Sequence, residues 1–249
     1  SSAASDVYKR QYTYGRWYTI KGQHPSDETG TYRYKFDAPK SWAGQRVKIF
    51  FDGVMTDAEI MINGKPAGEM HQGGFYRFNY DITELLNLGK KNQLEVKVAK
   101  ESANRSINAA ERKADWWLFG GIYRPVWLEV LPQIHMEHFV LNADHQGKLQ
   151  AAVDMAGDAK GHEIIVSVRS LKDGKTVYTS NGQTTITHSI SNSDKEQMIS
   201  GEWASIIPWS TENPNLYVAK LELKNPEGKI VQTRETRIGL RTVEFFPHD

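Results

Sequence analysis

The sequence predicts an all-β protein made of two successive sandwiches. Three observations carry this. Apolar residues recur at every second position, turn-forming glycine, asparagine and proline part the patterned segments, and aromatic content drops in the second half. A period of two sends alternate side chains to opposite faces of a pleated strand, which suits a sheet buried on one side. Residues 1–137 hold 5 Trp, 9 Tyr and 6 Phe, against 2, 2 and 3 in residues 138–249, so two different cores are expected with a boundary near 132–138.

Ser1 to Arg10 are small or polar without periodicity, and residues 1–15 are expected to be a disordered or non-native tail. The first sandwich is expected over 16–135. Tyr32, Tyr34 and Phe36 alternate with Arg33 and Lys35, followed by Val47, Ile49 and Phe51, then Ala58, Ile60 and Ile62. Asn63-Gly64 comes next, and both residues tolerate the positive φ that a tight hairpin turn requires. Tyr76, Phe78 and Tyr80, then Leu94, Val96 and Val98, then Val126, Leu128 and Val130 repeat the pattern, and only Asp81–Leu86 reads as a helical turn. These segments alone fit a sandwich or a barrel.

The second sandwich is expected over 136–245. Leu149, Ala151, Val153 and Met155 alternate, as do Ile164, Val166 and Val168. Asp173-Gly174 signals a hairpin and Asn225-Pro226-Glu227-Gly228 a four-residue turn. Further strands at Gln183–Ile190, Gln197–Trp203, Leu216–Leu223 and Lys229–Thr236 bring the number to about seven. That is the usual complement of an immunoglobulin-like sandwich.

Composition excludes several functions. With 31 basic against 30 acidic residues the net charge is +1, so no nucleic-acid partner is expected, because such binding needs a concentrated basic face. The absence of cysteine removes thiol nucleophiles, thiolate metal sites and disulfides, and leaves the redox compartment open. No run approaches the length of a membrane-spanning helix, and no membrane partner is expected. His135 and His138 are the closest histidine pair. A separation of three on a regular strand points them to opposite faces, so no metal site is expected there. No nucleophile elbow, phosphate loop or dinucleotide fingerprint occurs, and no cofactor is expected. The aromatic density of the first half has two readings, core packing or a face that stacks on sugars.

One set of motifs goes beyond composition. Phe51-Asp52-Gly53-Val54, Ile60-Met61-Ile62-Asn63-Gly64-Lys65, Gly68, His71-Gln72-Gly73-Gly74-Phe75, Asp81-Ile82-Thr83 and Asn92–Val98 come in that order. Gly120-Gly121-Ile122-Tyr123-Arg124-Pro125-Val126-Trp127-Leu128 follows. Together they resemble the sugar-binding jelly-roll domain that opens glycoside hydrolase family 2 enzymes, the β-galactosidases, β-glucuronidases and β-mannosidases. Trp209, Pro214, Leu216, Tyr217, Glu235, Arg237, Gly239 and Arg241 resemble the close of that family's immunoglobulin-like domain. The sequence departs at the start, where the family's Pro-x-x-Trp is not evident around His24-Pro25. Most of the matched residues read as markers of fold, with Gly73-Gly74 relaxing the backbone and the Arg124 guanidinium anchoring a turn.

The resemblance implies a galactose-binding-like jelly roll followed by an immunoglobulin-like sandwich. It also implies that both catalytic carboxylates lie on a (β/α)₈ barrel expected after residue 249, so no catalytic residue is expected here. The parent would be a hydrolase of O-glycosyl bonds acting on a β-linked oligosaccharide or glycan, with this segment inactive alone. Asp115-Trp116-Trp117 stands where β-galactosidases of the family carry an Asp-x-Trp that reaches the terminal sugar. It implies substrate binding by Asp115, Trp116 and Trp117, with β-galactosidase favoured; a turn aspartate beside two core tryptophans is the plainer reading. A stand-alone lectin-like protein is the alternative function. Periplasmic or extracellular use fits the family.

Overall fold

In the computed structural model, residues 29–111 and 120–244 are described, and they are almost entirely β-sheet. The chain divides into two compact units between Val130 and Leu131.

The first unit contains β1 (Thr29–Ala38), β2 (Gln45–Phe51), β3 (Val54–Met55), β4 (Asp57–Ile62), β5 (Lys65–Pro66), β6 (Phe78–Asp81), β7 (Lys90–Ala99), β8 (Gly121–Ile122) and all but the last two residues of β9 (Val126–Pro132). One sheet runs β1-β7-β4-β5 and another β6-β2-β9, with β3 and β8 as a short separate pair. All ten residues of β1 pair with β7, Tyr34 opposite Leu94 and Phe36 opposite Asn92. That register sends the even-numbered side chains of both strands inward. Phe36, Leu94, Val96, Val98, Ala58, Ile60 and Ile62 then pack with Val47, Ile49, Phe51 and Val126 of the second sheet. The odd-numbered charges face water, where Arg33 Nε lies 2.6 Å from Glu95 Oε2 across the ladder.

The Asn63-Gly64 turn forms as predicted, with φ of 53° and 77°. Its asparagine does more than turn the chain. Asn63 Nδ2 donates to Leu85 O at 2.8 Å and to Asn92 Oδ1 at 2.7 Å, while Asn63 Oδ1 accepts from Gln93 N at 2.9 Å. Asn92 is 1% exposed, and its amide also donates to Asn87 O and Lys90 O and accepts from Asn87 N. These two amides tie the β4–β5 hairpin, the 3₁₀ turn Thr83–Leu85 and the start of β7 into one node.

The structure departs from the predicted pattern at three places, the first a 3₁₀ turn at Lys40–Trp42. Tyr76 precedes β6, which begins at Phe78. A seven-residue helix, α1 (Arg105–Glu111), occupies a segment without helical periodicity. Two turns are too short to display a period, and its signal is local: Asn104 Oδ1 accepts from Ser106 N at 2.9 Å as an N-terminal cap.

The second unit contains β10 (His135–Ala143), β11 (Lys148–Ala156), β12 (Glu163–Ser170), β13 (Thr176–Val177), β14 (Thr185–Ser189), β15 (Glu196–Glu202), β16 (Tyr217–Lys224) and β17 (Ile230–Ile238). One sheet is β10-β11-β15; in the other, β12 lies between β16 and the successive strands β14 and β13, with β17 beyond β16. Leu149, Ala151, Val153 and Met155 of β11 pack against Ile164, Val166, Val168, Ala219, Leu221 and Leu223, with Trp203 closing the core. This is the predicted immunoglobulin-like sandwich.

A bulge in β10 alters the reading of its histidines. His135 pairs with Ala156 and His138 with Asp154, because the register shifts between Met136 and His138. The extra residue restores parity, so both positions fall on one face of the sheet rather than on opposite faces. His135 is buried with Nδ1 2.8 Å from Pro132 O and Nε2 2.9 Å from Glu137 Oε2, so both ring nitrogens are engaged. Gln232 spans from β17 to accept from Met136 N at 2.6 Å and donate to Met136 O at 3.2 Å, satisfying the peptide beside the bulge. Among the described residues, no group of three or more acidic or histidine side chains is arranged to hold a metal, and no helix is long and apolar enough to cross a membrane.

Replacing Asn92 by Ala strands several partners in a buried site. It is expected to lower the unfolding free energy by about 2–3 kcal/mol in urea titration. A double-mutant cycle with Asn63→Ala is expected to be strongly non-additive.

Candidate functional site

Asp115, Trp116 and Trp117 lie outside the described residues, within 112–119. The structure does describe both ends of that segment, and they converge on one residue. Before it, the Glu111 carboxylate accepts the Gly74 N–H through both oxygens, at 3.0 and 2.9 Å. After it, the Tyr123 hydroxyl donates to Gly74 O. One peptide unit on each side of Gly74 thus holds both ends of residues 112–122. Backbone bonds add to this: Tyr123 N and Arg124 N both donate to Gly53 O, at 3.4 and 3.3 Å, and Asp52 N donates to Pro125 O at 3.0 Å. The Gly-Ile-Tyr-Arg turn is therefore anchored by main chain and the Tyr123 hydroxyl. The Arg124 guanidinium lies over the Tyr123 ring, 5.3 Å from its centroid, instead of forking into the turn.

The residues leading to α1 are fixed from beneath. Asp57 is 5% exposed, and its Oδ2 accepts from Ala103 N at 2.8 Å and Gln72 Nε2 at 3.1 Å. Ser102 N donates to Asn108 Oδ1 at 2.9 Å, and Asn108 Nδ2 donates back to Ser102 O at 2.6 Å. The other Asp57 oxygen, Oδ1, and the Thr56 hydroxyl are buried with no partner among the described residues. Unpaired buried polar atoms cost free energy, and the Trp203 indole N–H in the core of the second unit is a third such atom among the described residues.

His71 connects this polar network to the core. Its ring stacks on Phe78 at 3.6 Å and 12°, and Phe78 stacks on the fully buried Phe51 at 5.0 Å and 7°. His71 Nε2 is 3.0 Å from Gly73 O, so that nitrogen carries the proton and donates. Burial pushes the His71 pKa below its ordinary value, against smaller upward pulls from the Gly73 carbonyl and the Asp57 charge. Burial likewise raises the Tyr123 hydroxyl, opposed by Arg124 and assisted by Glu111, keeping it a proton donor to Gly74. The sequence shows the His71–Phe75 motif but not its partners Asp57, Ser102 and Glu111, which lie 16 to 38 positions from Gly73 and come together only through folding. In the second unit, a shallow cavity of about 380 Å³ is lined by His145, Trp209, Arg241, Thr242 and Glu244, with Arg241 over the Trp209 ring at 5.0 Å.

The sequence profile of the sugar binding domain of glycosyl hydrolases family 2 matches residues 8–132, and a second profile of the same family matches 134–241. The chain belongs to glycosyl hydrolase family 2. Among curated relatives of this family 2 chain, a β-galactosidase of Thermoanaerobacter pseudethanolicus is 29% identical over 218 residues, covering 86% of this chain and 28% of the relative. A putative β-glucuronidase of Formosa agariphila is 31% identical over 218 residues, covering 87% and 20%. A β-galactosidase of Kluyveromyces lactis is 30% identical over 237 residues, covering 87% and 22%. The family 2 chain therefore spans between a fifth and three-tenths of these relatives. Among solved structures, a β-glycosidase from Bacteroides vulgatus superposes with a TM-score of 0.69 at 26% identity, over 96% of this chain and 29% of that one. A putative β-galactosidase from Bacteroides fragilis shares the fold, with a TM-score of 0.71 at 23% identity, over 88% and 34%.

Because the folded His71 pKa is depressed, its contribution to stability is present above the unfolded value near 6.5 and is lost as pH falls through the folded value. The melting temperature of the chain is expected to fall more steeply between pH 7 and 5 than that of His71→Phe, measured by circular dichroism at matched ionic strength.

Proposed function

We propose that this chain is the non-catalytic N-terminal part of a retaining exo-β-glycosidase, with β-galactosides as its favoured substrates. The first sandwich shapes the substrate pocket and braces a catalytic barrel supplied by sequence beyond residue 249. Family membership supports the glycosidase class, and the small share of each relative that the chain covers supports a catalytic domain elsewhere in the parent. Of the two names that the three relatives carry, β-galactosidase and putative β-glucuronidase, the first agrees with Asp115-Trp116-Trp117.

The observation that carries this reading is the double use of Gly74. A loop meant to bring a carboxylate to a sugar must be held at its ends, since misplacement by an ångström costs much of its effect. Glu111 and Tyr123, flanking Asp115, are both held at Gly74, through the peptide unit on either side of it. In this reading Asp115 accepts hydroxyl protons of the terminal sugar, and a neighbouring indole stacks on its apolar face. A retaining mechanism then needs two carboxylates about 5 Å apart on the barrel, one attacking the anomeric carbon and one protonating the leaving oxygen.

The chain alone is expected to give no turnover of chromogenic β-galactoside, β-glucuronide or β-mannoside; robust turnover would overturn the assignment of chemistry to another domain. In the parent protein, Asp115→Ala is expected to lower kcat/KM on β-galactoside by about tenfold or more, the loss of a charged hydrogen bond to substrate. An unchanged value would remove Asp115 from the site.

A further inference from the structure

Tyr76 is 55% exposed, yet its ring is fixed on three sides. Its hydroxyl donates to Gln72 O at 2.5 Å. The His71 ring meets it edge-on at 5.0 Å and 73°. Gly73, at φ of +111°, lets the ring lie against its α-carbon: a Cβ there would sit 2.7 Å from the ring. Tyr76 thereby ends a column of four rings, Phe51, Phe78, His71 and Tyr76, running from the core to the surface.

Such fixation is unprofitable for folding alone. Holding a surface ring in one rotamer costs side-chain entropy, and a ring that leaves over half its surface in water recovers little of it through burial. It is profitable for binding, because the ordering cost is met before a ligand arrives. The hydroxyl is already committed to Gln72 O, so what the residue offers outward is chiefly a flat apolar face.

We propose that Tyr76 is a saccharide-stacking subsite, its ring receiving the apolar face of a pyranose. The ligand class rests on the glycosidase reading above; the presence of a prepared binding surface does not. A protein partner fits less well. Among the described residues, only Met70 and Phe75 add exposed apolar surface in the same loop, at 44% and 39%, and these three side chains fall far short of the roughly 800 Å² per partner of a stable protein interface.

The test is saturation-transfer NMR on the chain with lactose and cellotriose as probes. Transfer to pyranose ring protons is expected, with the dissociation constant rising about tenfold in Tyr76→Ala. Tyr76→Phe, which keeps the flat face, is expected to bind within about threefold of the unaltered chain. Tyr76→Leu retains apolar bulk without the face and is expected to behave like Tyr76→Ala, which keeps the test open should the alanine variant fold poorly. No binding by the unaltered chain, or equal binding by the tyrosine and leucine forms, would overturn the subsite. Loss of binding in Asp115→Ala with none in Tyr76→Leu would also overturn it while leaving the glycosidase reading intact. Turnover by the chain alone would overturn that reading and leave a saccharide site at Tyr76.

Discussion

The first unit is organised around the peptide groups of Gly74. A buried or half-buried N–H and C=O must each find a partner, and in this molecule they are given to Glu111 and Tyr123, on opposite sides of residues 112–122. A carboxylate accepting a backbone N–H through both oxygens makes a charge-assisted bond, stronger than a neutral one. The chain leaving β7 and the chain returning at β8 are therefore joined through a third segment. That segment holds its own shape through Asp57, which fixes Gln72 and Ala103 together.

The stiffness of this arrangement comes from the sandwich beneath it. Phe51 is held between two sheets, Phe78 and His71 stack on it in turn, and the loop bearing Gly73-Gly74 is thus placed by packing rather than by its own flexible backbone. At the hairpin end of β4, Asn63 and Asn92 perform the corresponding task with hydrogen bonds, locking the strand whose other end carries Asp57. The core, the polar node and the loop platform form one mechanical unit. A fold that many proteins share acquires its function in such local attachments.

Much of this was legible in the sequence, for a definite reason. Alternation over Tyr32–Phe36, Val47–Phe51 or Ile164–Val168 is read directly as one buried face, because strand periodicity is a local property. The Asn63-Gly64 turn is legible for the same reason. What is not local was hidden. The β10 bulge reverses the parity of His138 through a single unpaired residue, and nothing in Met136-Glu137-His138 announces it. Helix α1 is too short to show a period. The partners of Gly74 are ordinary glutamate and tyrosine until folding brings them within bonding distance. Even the alternation of Tyr76 with Phe78 and Tyr80 misled, since Tyr76 stands before the strand and faces water while the other two pack on the core.

The most direct measurement is amide hydrogen exchange at Gly74 by NMR. Protection in the unaltered chain is the expected result, with exchange on the order of ten- to a hundredfold faster in Glu111→Ala, where the charged acceptor is gone. Exchange at the rate of an unstructured peptide in the unaltered chain, or a rate untouched by Glu111→Ala, would contradict a clamp at Gly74.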